Sequence, residues 1–171
     1  MMKAFRFTII ASGLDPFADD FEDRFYEAGC DDATISLQKG VILLDFTRDS
    51  ESFEGAVTSA VSDIEGAGAR IVRIEPDHLV SLADIAKRSG LTKAAVSLYA
   101  KGERGENFPR PVACLTSSHA LWDWADVASW LYERGTVTEE VRAQAHFVRS
   151  ANYDIVSRNL LEQSSISDRA S

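Results

Sequence analysis

Cysteine is scarce in this 171-residue chain: there are two, Cys30 and Cys114. They lie far apart and outside any metal-ligand spacing, which argues against a structural zinc site and a disulfide-framed secreted fold. No apolar run approaches the roughly 18 residues of a membrane span. The start, Met1 to Lys3, has one basic residue followed by an alternating pattern, unlike a signal peptide. The expected setting is soluble, reducing and cytoplasmic, with no membrane partner. The three histidines, His78, His119 and His146, fall in different segments. There is no Gly-rich phosphate loop, no Ser/His/Asp arrangement and no metal-spaced His cluster. The chain therefore reads as a non-enzyme, with no catalytic residue, cofactor or metal. What remains is ordinary: 45% hydrophobic and 26% charged residues, the composition of a globular protein. The length suits one domain or two small ones with a core of their own.

The net charge of −9 speaks, taken whole, against nucleic acid. Its distribution is uneven. Residues 1–77 carry 7 Lys/Arg against 16 Asp/Glu, residues 78–132 carry 6 against 5, and residues 133–171 carry 5 against 6. The acidic excess sits in the first half, and a module boundary is expected near Glu75–His78, at Pro76.

In residues 1–76, Phe5, Phe7 and Ile9 alternate with Arg6 and Thr8, a period of two. Asp15-Pro16 offers a helix start with Asp as N-cap, Phe17, Phe21, Phe25 and Ala28 follow at helical spacing, and Gly29 stops the helix. Thr34 to Leu37 reads as a strand, turned by Lys39-Gly40 into the apolar run Val41 to Phe46. Asp49, Ser50 and Glu51 open a second helix with Phe53, Val57, Ala60, Val61 and Ile64 on one face. Ile71 to Ile74 is the last strand. The order βαββαβ is the split pattern of ferredoxin-like domains. The acidic residues Asp19, Asp20, Glu22 and Asp23 suit the first turns of a helix, and Asp31-Asp32 a loop. Cys30 has no basic neighbour in sequence to activate it. The domain reads as an acidic sensor or protein-interaction module.

The middle, residues 78–132, is more specific. Ser81 caps a short helix with Asp84 three residues on, a variant capping box. Ser89-Gly90-Leu91 makes a tight turn, and Thr92 caps a second helix running to about Ala100. Two helices joined by a Gly-containing turn form a helix-turn-helix unit. Leu91, Val96 and Tyr99 supply the apolar face of the second helix. The other face carries Thr92, Lys93, Ala94, Ser97 and Lys101, side chains suited to a major groove, with Arg104 and Arg110 beyond them for phosphates. Taken singly, Lys93, Lys101 and Arg104 would pass for a solvated face; gathered on one side of this unit they point to DNA. Trp122, Trp124 and Trp130 read as core rather than base-stacking residues, and Tyr99 as core. His119 belongs to a polar turn.

Residues 80–131 resemble the modules of excisionase-like and MerR-like regulators. The matching phrases are Leu82-Ala83-Asp84-Ile85-Ala86, Ser89-Gly90-Leu91, Ala95-Val96-Ser97, Tyr99, Phe108-Pro109-Arg110-Pro111-Val112 and Leu121-Trp122-Asp123-Trp124-Ala125-Asp126-Val127. The resemblance implies a winged helix-turn-helix with a β-wing after the Phe-Pro-x-Pro phrase. Read from the residues themselves, 112–115 and 120–122 are short strands around Thr116-Ser117-Ser118-His119, and Asp123 caps the next helix. The turn lacks the Arg or Lys that such a wing would set against a phosphate.

Residues 136–163 read as one long helix capped by Thr136 or Thr138. Its stripe of Val141, Ala145, Val148, Ala151, Ile155, Val156 and Leu160 is expected to join two chains, and residues 164–171 to form a disordered tail. The fold class is thus α+β: a ferredoxin-like domain, a winged helix-turn-helix domain and a long C-terminal helix. The function that follows is a sequence-specific transcriptional regulator binding double-stranded DNA as a homodimer, with a protein partner conceivable at the acidic domain. Alternatives are an antitoxin, a mobile-element excision factor, and an adaptor whose helix-turn-helix does not bind DNA.

Overall fold

The computed structural model describes residues 1–170. It is a mixed α+β chain with six helices and a four-stranded antiparallel sheet among those residues. Two compact units form. One is Met1–Pro76 together with the chain from Ser150 onward; the other is Asp77–Arg149.

In the first unit the order is β1 (Lys3–Ser12), α1 (Phe21–Glu27), β2 (Ala33–Gln38), β3 (Val41–Ser50), α2 (Phe53–Gly66) and β4 (Arg70–Glu75). The sheet order is β2-β3-β1-β4. Alternation in β1 sends Phe5, Phe7, Ile9 and Ala11 inward, and the register sets Phe7 against Phe46 and Ile9 against Leu44. Ala56, Val57, Ala60 and Ile64 of α2 and Phe21 and Phe25 of α1 are buried as well. Strand β3 outruns the apolar stretch 41–46 because β1 pairs with it along its full length, Lys3 to Ser50.

Two helix starts differ from expectation. Residue Asp15 accepts a hydrogen bond from the Phe17 N–H at 2.9 Å, a local turn rather than a cap, and Phe17 is exposed. Helix α1 therefore begins at Phe21, leaving Asp19 and Asp20 ahead of it. Helix α2 is capped by Ser52, whose hydroxyl accepts from the Gly55 N–H, so residues 49–50 remain strand.

One buried cation ties this unit together. Arg48 donates from Nε and Nη2 to the two oxygens of Asp32 (2.7 and 2.8 Å). It also donates to Asp63 (2.8 Å), the Ser59 hydroxyl (3.0 Å) and the Gly29 carbonyl (2.8 Å). All five guanidinium donors are used, which is the condition for burying such a charge.

The second unit contains β5 (Leu79–Val80), α3 (Leu82–Ser89), α4 (Lys93–Ala100), β6 (Trp122–Asp123), α5 (Trp124–Glu133) and the start of α6 (Glu139–Arg169). Its core is Val80, Ile85, Val96, Val127 and Leu131 with Trp122, Trp124 and Trp130. The three indoles are core, as expected of them rather than base-stacking.

The expected hairpin of 112–115 and 120–122 is reduced to a single bridge, Ala113 to Leu121. Cys114 takes a positive φ of 54°, which bends the chain away before a second pair can form. Residues Trp122 and Asp123 pair instead with β5.

Helix α6 starts after Thr138, whose hydroxyl accepts from the Val141 N–H, and continues to Arg169. The segment expected to be a disordered tail is therefore helical through Arg169; Ser171 lies outside the described residues. The apolar stripe is also divided. Ala145, Val148 and Ile155 are buried within the single chain, while Val156 and Leu160 are exposed. The long helix therefore does not hold its whole stripe open for a second chain.

Candidate nucleic-acid interface

The geometry of α3 and α4 is set by their ends. The Ser81 hydroxyl accepts from the Asp84 N–H at 3.2 Å, and Asp84 accepts from the Ser81 N–H at 2.9 Å and from the Ser81 hydroxyl at 2.7 Å. These bonds hold the Asp84 carboxyl below its ordinary range. Gly90 ends α3 in the left-handed conformation, φ 76°, where a side chain would be strained. Thr92 then opens α4, its hydroxyl accepting from the Ala95 N–H at 3.1 Å. Val96 is fully buried and Leu91, Tyr99 and Ala100 pack on the core, so the opposite side of α4 faces outward.

The expected contact residues lie as follows. Thr92, Lys93 and Ala94 are exposed at the start of α4, Ser97 is half-buried one turn on, and Lys101 is exposed at the C-terminal end. Lys93, Ser97 and Lys101 recur every four residues and form one row. Arg104 is exposed in the following loop with its guanidinium over the Tyr99 ring, 5.5 Å from the centroid. Arg110 is exposed farther along the same loop, and no hydrogen bond or ion pair joins it to the α4 row among the described residues.

The loop carrying both arginines is pinned from beneath. The Trp130 indole N–H donates to the Glu106 carbonyl at 2.9 Å, and that of Trp122 to the Pro109 carbonyl at 3.0 Å. Phe108, Tyr99 and Trp130 pack together, with ring centroids 4.9 to 6.1 Å apart. Gly105 has φ 73°, and a Cβ there would sit 3.1 Å from the Trp130 ring. These anchors were not assigned from sequence. Their signal was the spacing of Tyr99, Gly102, Gly105 and Phe108, three residues apart, which is neither a helical nor a strand period.

No family model, curated protein or solved structure matches the chain. The site rests on its own chemistry.

That chemistry is a segregation of cations. The second unit holds 9 Lys/Arg against 9 Asp/Glu, so the whole excess of −9 belongs to the first. Within the second unit, Arg149 pairs with Asp126 at 2.9 Å and Asp123 at 3.3 Å, and Arg142 with Glu139 at 2.7 Å. Burial works against the Arg149 charge, and its carboxylate partners outweigh it. Arg88 donates to the Asp77 carbonyl, and Arg134 to that of Glu106 while lying 3.9 Å over Trp130. By contrast Lys93, Lys101 and Arg110 are exposed and make no ion pair or hydrogen bond among the described residues. Lys87, on the outer side of α3, joins them as an exposed cation without an ion pair among the described residues, and sequence reading did not single it out.

One pair resembles a hydrolytic dyad and is not arranged as one. Ser129 Oγ lies 2.7 Å from His146 Nε2, and Arg149 Nη2 lies 3.1 Å from His146 Nδ1. A guanidinium only donates, so Nδ1 is the acceptor and a neutral ring carries its proton on Nε2. That proton points at Ser129, the reverse of what activates a serine. Cys30 is likewise quiet. Burial, with Asp63 beside it, pushes its thiol up to about 11, far from the range of a reactive thiolate.

Proposed function

We propose that residues 77–149 form a winged helix-turn-helix module that binds double-stranded DNA in a sequence-specific way. In this reading the chain is a transcriptional regulator and acts as a dimer. The observation that carries the reading is the segregation of cations: those on α4 and its following loop face solvent, while Arg88, Arg134, Arg142 and Arg149 are engaged by neighbours. Helix α4 is the recognition helix, presenting Thr92, Lys93, Ala94 and Ser97 to base edges. Lys101, Arg104 and Arg110 neutralise phosphates. The loop bridged at Ala113 and Leu121 is a short wing; its tip, Thr116 to His119, carries no Lys or Arg, so α4 bears most of the contact. The first unit is a ferredoxin-like domain, a reading supported by its element order and by the sheet order β2-β3-β1-β4, and it serves as the sensor or protein-interaction module.

A retarded band with fragments of genomic DNA tests this against a module that binds only protein. The regulator reading expects retardation that survives an excess of unrelated DNA. Lys101→Ala and Arg104→Ala should weaken binding to all sequences alike. Ser97→Ala should relax discrimination between sites, by about 1–3 kcal/mol if its base contact is good. No retardation at low salt overturns the assignment.

A further inference from the structure

The sheet of the first unit has two edges, β4 and β2, and they are treated differently. Along β4 the α6 side chains act as a further strand. Asn152 accepts from the Ile74 N–H at 2.8 Å and donates to the Ile74 carbonyl at 3.0 Å, and Asn159 donates to the Ile71 carbonyl at 3.1 Å. Along β2, from the Ala33 carbonyl onward, no hydrogen bond reaches the outer backbone among the described residues. This strand reads Ala-Thr-Ile-Ser-Leu-Gln from Ala33 to Gln38, with no charge and no proline. Edge strands are ordinarily guarded by one or the other, because their free N–H and C=O groups template pairing.

Which groups are free follows from one bond. The Thr47 N–H donates to the Asp32 carbonyl at 3.1 Å, so even-numbered residues of this segment turn their backbone toward β3. Residues 33, 35 and 37 therefore turn theirs outward. The Ala33 N–H is taken by the Cys30 carbonyl at 3.1 Å. The free set is the Ala33 carbonyl and both groups of Ile35 and Leu37.

We propose that this edge is a dimer surface and that its occupant is β2 of a second copy, antiparallel, with Ile35 on the two-fold axis. In that register Ile35 exchanges both hydrogen bonds with its twin, and each Leu37 N–H donates to the partner's Ala33 carbonyl. Odd residues oppose odd residues, so the helices of both copies cover one face of a continuous eight-stranded sheet. The charges at the ends choose this register. Asp31 and Lys39 are both exposed and make no ion pair among the described residues, whereas Asp32 beside them is engaged by Arg48. With Ile35 on the axis Asp31 of each copy stands opposite Lys39 of the other, twice over. Moving the axis to Ala33 sets Asp31 against Ile35, and moving it to Leu37 sets Lys39 against Ile35, so either shift loses both charge pairs. Leu37, 45% exposed, is covered in the chosen register. The inference deepens the dimeric reading above. It rests on that reading for its use, though not for its geometry.

Sedimentation equilibrium of the full chain tests it without DNA. The wild type should sediment at twice 18.8 kDa. Asp31→Lys should weaken self-association by about tenfold or more, since two attractive pairs become two repulsive ones. Asp31→Lys combined with Lys39→Asp should restore it, and Asp is tolerated at the positive φ of 51° found at Lys39. Leu37→Pro, which removes an outward donor and no bond to β3, should leave a folded monomer by circular dichroism. A monomeric wild type, or a dimer indifferent to all three variants, overturns the proposal. Failure of this kind leaves DNA retardation by α4 untouched, and a β2 dimer that retards no DNA overturns only the DNA reading.

Discussion

Arg48 and its partners come from four places in the chain: β3, the loop after α1, the turn before β2, and α2. Replacing it with methionine keeps the aliphatic body and leaves Asp32 and Asp63 without their cation. Breaking a buried pair costs about 3–5 kcal/mol. Each carboxylate keeps 30% exposure and can rehydrate, so the expected loss in urea unfolding is toward about 3 kcal/mol. The neighbouring Cys30 supplies a pH prediction. Its folded pKa of about 11 lies above the ordinary 9.0, so the neutral thiol is favoured by the fold. The stability it contributes is fully present below about pH 9 and is lost as pH rises through 11. Titrating thiols of the native chain with a disulfide reagent at pH 8 should therefore modify Cys114, which is exposed, and reach Cys30 only on unfolding. The quiet thiol of Cys30 was legible in the sequence; the Arg48 cluster was not. Asp32 read as a loop acid and Arg48 fell between the expected strand and helix with no role, because their meeting depends on the β2-β3 register. In the second unit, Gly105→Ala forces a Cβ against Trp130 at a positive φ. It should cost more than about 1 kcal/mol and lower DNA affinity by loosening the loop of Arg104 and Arg110.

Elements were legible where one local rule decided them. The period of two in β1 and the Ser81–Asp84 cap of α3 needed only neighbours in sequence, and Ser81→Ala should cost about 1 kcal/mol in thermal unfolding. The start of α1 was missed because Asp15 serves a turn that imitates a cap. The expected hairpin is reduced to the Ala113–Leu121 bridge beside the positive φ of Cys114, which no side-chain pattern announces. Helix α6 was recognised, but the division of its stripe was not. Ala145, Val148, Asn152, Ile155 and Asn159 alternate spacings of three and four and share one face. The two asparagines within it match β4. Seven helical residues rise about 10.5 Å, and three strand residues about 10 Å, which lets Asn152 reach Ile74 while Asn159 reaches Ile71. Asn152→Leu strands the Ile74 N–H and C=O and should cost about 1–3 kcal/mol in denaturant unfolding. Ile155→Asp should unfold the chain's own packing rather than merely separate two copies, since Ile155 is 6% exposed.

At the scale of the molecule, charge is partitioned between units. The first unit holds the entire net −9, and the second is neutral overall with its uncommitted cations on α3, on α4 and in the loop behind it. The uneven distribution was readable from the sequence. Which cations were already engaged was not, because Arg88, Arg134 and Arg149 find carbonyls and carboxylates up to 28 residues away. On the proposed reading, a neutral DNA-binding unit attached to an acidic one has modest affinity that depends steeply on salt. The most direct test is anisotropy of the full chain on a duplex selected from a random pool and on an unrelated duplex, measured across a salt series. Binding should favour the selected duplex. Lys101→Ala should lower affinity for both duplexes equally and flatten the slope of log K against log salt by about 0.9 for each phosphate it no longer neutralises. A wild type without preference between the duplexes, or a Lys101→Ala slope equal to that of the wild type, would contradict the placement of α4 on DNA.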